Sequence, residues 1–307
     1  MIVFGGRKPK RFIEEGSWGM IEKKQTDPPG SPKINKAKKI KLFGLIIILG
    51  MLWSIWSWVP VTERFTVKLS DGGNQKLRIA LITDLHSCSY GKEQKNLISR
   101  IDREEPDIIL LGGDFLDDRL KDDNAMTLAK ELVEKYPCYY VTGNHEYWSG
   151  RVEEMKDGLR QLGVTVLEGE CSEFTHDGAT YDICGVDDPT GMTDLAWKAQ
   201  LERAYSRTSE QHVKLLLTHR PERVSDYENY DFDLILAGHA HAGQFRVPFL
   251  NRGVFAPNQG FWAEYVNGSY ELSGGQIMIV SRGLARESTP LPRFFNHPEL
   301  VIVDLLH

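Results

Sequence analysis

The 307-residue chain is 41% apolar and 26% charged with a net charge of −6, which excludes compositional disorder and argues against a nucleic-acid-binding body. The charge is uneven: residues 1–41 hold 11 Lys/Arg against 4 Asp/Glu, a balance of +7, and the remainder carries −13. That split describes a basic arm on an acidic body suited to cations.

In chain order, residues 1–32 read as a tail, with Pro28-Pro29-Gly30 as a breaker. Residues 42–59, LFGLIIILGMLWSIWSWV, contain no charge. As a helix they span ~27 Å, close to the ~30 Å hydrocarbon core of a bilayer. Lys33, Lys36, Lys38, Lys39 and Lys41 precede this run, and Trp53, Trp56 and Trp58 sit near its far end, where an aromatic belt lies. A cleaved signal peptide has a shorter apolar region and a small-residue cleavage site, whereas Pro60-Val61-Thr62-Glu63 follows here. The expectation is an uncleaved single-pass anchor in the cell membrane. It has a basic tail (1–41) in the cytoplasm, the anchor at 42–59 and a domain at 60–307 outside.

Beyond the anchor, residues 65–69 alternate like a strand and 70–73 (SDGG) read as a turn. Strands are predicted at 77–83, 107–111, 138–142, 213–218 and 234–237. Helical periodicity covers 93–104, 124–135 and 152–162. Such alternation specifies an α/β layered domain.

Each of these apolar strands is followed by groups able to bind a metal. Asp84 and His86 follow the first. Gly113-Asp114 with Asp117 and Asp118 follow the second, and Gly143-Asn144-His145-Glu146 the third. His219 and then Gly238-His239-Ala240-His241 follow the last two. Ligands of α/β sheets gather at the carboxyl ends of strands, so five loops should deliver these side chains to one rim. Carboxylates, imidazoles and an amide oxygen suit manganese, iron or zinc, with manganese favoured. On an extended chain, D-x-H and H-x-H place both side chains on one side, with Ala240 turned away.

The ordered series D-x-H, G-D-x-x-D, G-N-H-E, a lone His and G-H-x-H resembles the calcineurin-like metallophosphoesterases from about residue 62 onward. GHAHAGQFRVP (238–248), SRGL (281–284) and NHPE (296–299) are similar to the membrane-tethered bacterial branch, with Ala242 in place of its usual glycine. The resemblance implies a four-layer α-β-β-α sandwich around two divalent metal ions. Asp84, His86 and His241 would hold one ion, Asn144, His219 and His239 the other, with Asp114 bridging. His145 would protonate the leaving oxygen, oriented by Asp117. The implied reaction is phosphoester hydrolysis by hydroxide activated between the metals, with no organic cofactor.

Phosphoprotein phosphatases of this kind continue G-D-x-x-D with Arg-Gly, whereas Asp118-Arg119 follows here. The added carboxylate disfavours a dianionic monoester and favours a phosphodiester or pyrophosphate diester. The anchor points to lipid headgroups or envelope polymers as substrate. Two alternatives are a lipid-linked nucleotide-sugar pyrophosphatase and a catalytically silent, metal-retaining envelope-binding protein; the presence of His145 argues against the latter. Arg246 and Arg282 are candidates either for phosphate contact or for structural ion pairs. Phe245, Phe249, Phe255, Phe261 and Trp262 either pack a long loop or line a lipid-facing groove.

Four cysteines follow the anchor. Asp177-Gly178 reads as a type I′ hairpin turn, which sets Cys171 opposite Cys184 at a non-hydrogen-bonded pair. The two form a cross-strand disulfide or remain small core residues. Cys88 lies near the first motif without being needed as a ligand. His176, His212, His297 and His307 are assigned to surface or packing.

Overall fold

The computed structural model describes residues 38, 40–45, 58–69, 75–247, 252–286, 293 and 295–307. It has two compact units, residues 1–48 and 49–307. In the first unit, the described residues 38 and 40–45 are helical. The tail, most of the 42–59 run, the turn expected at 70–73 and Phe249 lie outside the described residues. Among the described residues, no helix is long and apolar enough to cross a membrane.

The second unit is built on two six-stranded sheets. The first runs Val61–Lys68, Glu299–Leu306, Lys76–Ile82, Ile108–Gly112, Cys138–Val141 and Thr165–Val166 across its width. The last four are parallel, and Glu299–Leu306 enters antiparallel to Lys76–Ile82 and parallel to Val61–Lys68. The second sheet runs Gly268–Glu271, Ile277–Val280, Leu234–Ala237, Val213–Leu217, Ala179–Gly185 and Glu170–His176. Its four central strands are parallel and its two edges antiparallel.

Strand periodicity divides the apolar side chains into layers. Leu77, Ile79, Leu81, Ile108 and Leu110 pack against Tyr181, Ile183, Leu215, Leu217 and Leu236 between the sheets. Ala80, Ile82, Ile109 and Leu111 face outward, where helices Lys95–Asp102, Asp123–Val133 and Val152–Leu162 cover them. Leu216, Ile235 and Met278 on the far side are covered by helices Asp194–Tyr205 and Val224–Tyr227. Central parallel strands buried on both faces explain why these segments read as continuous apolar runs.

Glu299–Leu306 and Asp194–Tyr205 extend beyond the predicted elements. The helix expected from residue 93 begins at Lys95, because Glu93 and Gln94 adopt positive φ. Buried Gln94 explains the break: its amide accepts from the Tyr90 N–H at 2.6 Å and donates to the Cys88 carbonyl at 2.9 Å.

Asp177 and Gly178 both have positive φ, and the register sets Cys171 opposite Cys184. Here the two are joined as a disulfide rather than left as small packing residues. Cys88 and Cys138 are buried and outside any disulfide. The denatured, unreduced chain should therefore titrate two thiols and the reduced chain four. Replacing Cys171 and Cys184 with serine should cost about 3 kcal/mol in chemical denaturation.

Candidate metal centre

All five predicted loops emerge at one edge of the sandwich, where the central strands end. The way they aim their side chains differs from the extended arrangement expected. Asp84, His86, Asp114, His239 and His241 all have φ between 46° and 66°. Ala240 is right-handed (φ −76°, ψ −11°) and leads into the 3-10 turn His241–Gly243. Left-handed backbone, not period-two alternation, therefore points these side chains inward. This conformation is uncommon for non-glycine residues and persists only where surrounding bonds enforce it. The His239 N–H donates to Asp84 Oδ1 at 3.0 Å, the Asp84 N–H to the Gly113 carbonyl at 3.0 Å, and the His86 N–H to the Asp114 carbonyl at 2.8 Å. Gly113 has φ 84°, and a Cβ there would stand 2.5 Å from His219 Nδ1. Ala242, at φ 52°, occupies a conformation that favours glycine.

The side chains form two groups that share Asp114: Asp84, His86, Asp114 and His241, and Asp114, His219 and His239. Within each group the candidate ligand atoms lie within 4.8 Å of one another. Asp114 Oδ2 stands 3.2 Å from His219 Nε2 and 3.7 Å from His86 Nε2, and Asp84 Oδ1 stands 3.5 Å from His241 Nε2. His219 Nδ1 donates to the Gly112 carbonyl at 2.9 Å, which leaves Nε2 as a lone-pair donor directed at the site. His86 Nδ1 lies 3.0 Å from Asp117 Oδ1 and presents Nε2 in the same way. His239 is reversed: Nδ1 lies 3.2 Å from His219 Nε2, while Nε2 lies 2.9 Å from Asn258 Oδ1. His86 Nε2 and Asn144 Oδ1 are buried without a hydrogen-bond partner, and Asn144 lines the same cavity as Asp114, His239 and His241. Unpartnered buried donors of this kind, in a mixed oxygen–nitrogen set, fit divalent cations.

Burial opposes charge on Asp114, yet contacts with His219, His86 and His145 hold its carboxyl well below the usual range. Burial pushes Asp84 up. Burial, with His219 and Arg220 nearby, pushes His239 down to about 3.

Beside this centre, the His145 N–H donates to Asp114 Oδ1 at 2.8 Å. Its Nδ1 lies 2.7 Å from Asp118 Oδ1 and 3.4 Å from Asp117 Oδ1. Asp117 thus reaches His145 but shares that contact with Asp118. Asp117 lies closer to His86, and Asp118 makes the short contact to His145. Burial alone would lower the His145 pKa; Asp117, Asp114 and Asp118 outweigh it and bring it to about 9.

Sequence reasoning assigned no role to Glu146, Arg220, Asp188 or Asn258. Glu146 is fully buried and accepts the N–H groups of Asp114, Phe115, Leu116 and Gly143, tying two ligand loops together. Burial and Asp114 push its carboxyl up to about 7. Its signal was the N3 position of the helix Asn144–Trp148, where a glutamate caps free N–H groups. Arg220, next to His219, forms a bidentate pair with Asp188 and donates to Asn258 Oδ1 at 2.6 Å. Arg282 pairs with Glu299 at 2.7 Å, the structural-ion-pair alternative, and Arg246 is buried. Phe255, Phe261 and Trp262 are exposed, which overturns loop packing for these three. His176, His212, His297 and His307 lie away from the ligand groups, beside Asp107, Asp182, the Val59 carbonyl and Tyr181.

The profile of calcineurin-like phosphoesterases matches residues 77–243, the segment that supplies every one of these ligand candidates. The chain belongs to this family. It is 30% identical to an uncharacterized metallophosphoesterase of Aquifex aeolicus, over 85% of this chain and 97% of that protein. It is also 30% identical to an uncharacterized metallophosphoesterase of Helicobacter pylori J99, over 76% of this chain. The match spans 60% of the length of that protein. A bovine transmembrane protein with metallophosphoesterase domain is 30% identical over 84% of this chain and 60% of its own length.

The carboxylates around His145 give a pH signature. In metal-free protein, NMR should find its ring titrating near pH 9, against 6.5 for an ordinary histidine. Its stabilising contribution is complete below about pH 6.5 and is lost as pH rises through about 9. Asp118→Asn should lower that titration midpoint.

Proposed function

We propose that this chain is a metal-dependent phosphodiesterase that cleaves phosphodiester or pyrophosphate diester bonds of lipids or envelope polymers at the outer surface of the cell membrane. Membership of the family supports phosphoric ester hydrolysis with divalent metals. Asp84, His86 and His241 would hold one ion and Asn144, His219 and His239 the other, with Asp114 shared; manganese leads the candidates. Bound there, such ions supply positive charge for phosphate oxygens and acidify water.

The chain's own residues do the rest. His145 lines the cavity over the ligands, where the carboxylates of Asp117, Asp114 and Asp118 favour its protonated form, and it is placed to donate that proton to the departing oxygen. Asp118 fixes the ring through Nδ1, so Nε2 is the proton-donating atom. The Asp114 carboxylate accepts the His145 N–H and so keeps this residue in register with the ligands.

The observation that carries the diester preference is the cavity wall. A cavity of about 370 Å³ over the ligands is walled by Trp148, Phe255 and Pro257, and among the described residues Arg220 is the one arginine lining it. Arg220 is already neutralised by Asp188. A dianionic monoester would meet little unpaired positive charge from the protein, whereas a diester presents one negative charge and a second substituent for the apolar wall. The tether reading is supported by the uncharged run at 42–59, its flanking lysines and tryptophans, and the name of the bovine relative. The G-H-x-H-x-G-Q sequence at 238–244 supports placement in the membrane-tethered branch.

The test is a comparison of bis-p-nitrophenyl phosphate with p-nitrophenyl phosphate on metal-stripped chain with and without Mn²⁺. Metal-dependent cleavage of the diester in preference to the monoester is expected; the reverse preference would sink the diester reading. His145→Ala should lower kcat by ~10²–10⁴ while retaining bound metal. Asp114→Ala should lose metal as well as activity, read by elemental analysis.

A further inference from the structure

Exposed apolar side chains of the 49–307 unit are gathered at one end. Trp148 and Phe255 line the cavity over the metal centre. The Phe255 ring stands 5.3 Å from that of Phe261 across a short hairpin, and Trp262 follows. Phe261 is 73% exposed and Trp262 59%. Phe295 precedes Asn296, whose side chain donates to the His241 carbonyl at 2.7 Å. Leu195 lies in the first turn of the helix Asp194–Tyr205, which follows Thr190, another residue of the cavity wall. Trp58 and Val59 complete the set of exposed large hydrophobics among the described residues of this unit.

Sheet topology explains why Trp58 and Val59 belong with the rest. Val61–Lys68 runs parallel to Glu299–Leu306, which runs antiparallel to Lys76–Ile82. Val61, paired with Glu299, therefore starts at the edge where Lys76–Ile82 ends and delivers Asp84. The chain enters the domain on the edge that carries the metal centre. The uncharged run at 42–59 ends at that entry point. Beside it lies a cleft lined by Trp58, Tyr90, Arg100, Arg103 and Arg286. The Arg286 guanidinium lies 4.3 Å from the Tyr90 ring centroid and 5.4 Å from that of Trp58. Opposite, at the beginnings of the strands, the chain presents Glu210 and Asp231.

We propose that this edge is a docking surface for an anionic phospholipid bilayer. The aromatic hairpin Phe255–Trp262 enters the interface, and the arginine cleft takes anionic headgroups. Aromatic side chains favour the headgroup level, and cationic side chains are drawn to anionic lipid. The mouth of the metal centre then opens onto the headgroups, and the diester is taken from the membrane plane rather than from bulk water. The inference rests on the tether reading above and deepens it.

The test uses the full chain reconstituted in vesicles, with the polarity-sensitive fluorophore NBD on a cysteine introduced by Trp262→Cys or, separately, Phe261→Cys. Glu210→Cys is the control; the native cysteines are buried or disulfide-bonded. Vesicles are phosphatidylcholine alone or mixed with phosphatidylglycerol, with and without bromine on the acyl chains. Probes at 261 and 262 should emit to the blue and lose about half their intensity to brominated chains, more so with phosphatidylglycerol, while 210 stays water-like. Arg100→Glu with Arg103→Glu should erase the phosphatidylglycerol difference. Water-like emission at 261 and 262 from chain that remains in the vesicles overturns the docking and leaves the tether standing. Chain that does not stay with vesicles overturns both, whatever its activity on soluble diesters.

Discussion

The centre depends on the Asp114 carboxylate, a buried charge compensated from several directions. His219 and His86 approach one oxygen, and the other accepts the His145 N–H. Such a charge is costly without partners, and removing a partner of a buried pair costs about 3–5 kcal/mol. Each compensating group comes from a different loop. The charge at Asp114 therefore couples the ends of four strands, its own included, into one object. Glu146 repeats the arrangement one layer deeper, accepting backbone N–H groups from the loops that carry Asp114 and Asn144. Two buried carboxylates this close raise each other's cost. The outer one is relieved by imidazoles, and the inner one is left with a raised pKa.

The left-handed residues follow from the same constraint. An extended strand end would carry its side chains past the site rather than into it. Turning Asp84, His86, Asp114, His239 and His241 inward costs backbone strain, which is offset by bonds such as His239 N–H to Asp84. The parallel core beneath provides the rigidity, since its strands are buried on both faces and fix where each loop begins.

Much of this was legible in the sequence because order and type are one-dimensional properties. The runs before Asp84, Asp114, Asn144, His219 and His239 are apolar and short, and the residues that follow them are chemically unusual for strand ends. What was not legible depends on dihedral angles and on pairing across long separations. H-x-H spacing is compatible with extended or left-handed chain, and the residues alone do not choose between them. G-D-x-x-D followed by Asp118 offers two neighbouring carboxylates, and only the loop's path brings both to His145, with Asp118 the nearer. Glu299–Leu306 has strand-like composition, but its place between Val61–Lys68 and Lys76–Ile82 is a register fact. The hairpin at Asp177-Gly178 was readable down to its facing cysteines because a two-residue turn sets register locally.

That inserted strand has a consequence for how the molecule is made. Asp304 pairs with Arg78, 226 residues earlier, so Val61–Lys68 stays apart from the rest of the sheet until the distant strand arrives between them. Contacts so far apart in sequence form late, because a long loop must close before they are rewarded. The ligand candidates themselves all lie between Asp84 and His241, so the late strand supplies none of them and serves the centre only by finishing the sheet beside it. The strands that aim the ligands can therefore pair with one another before the slowest contact of the domain is made.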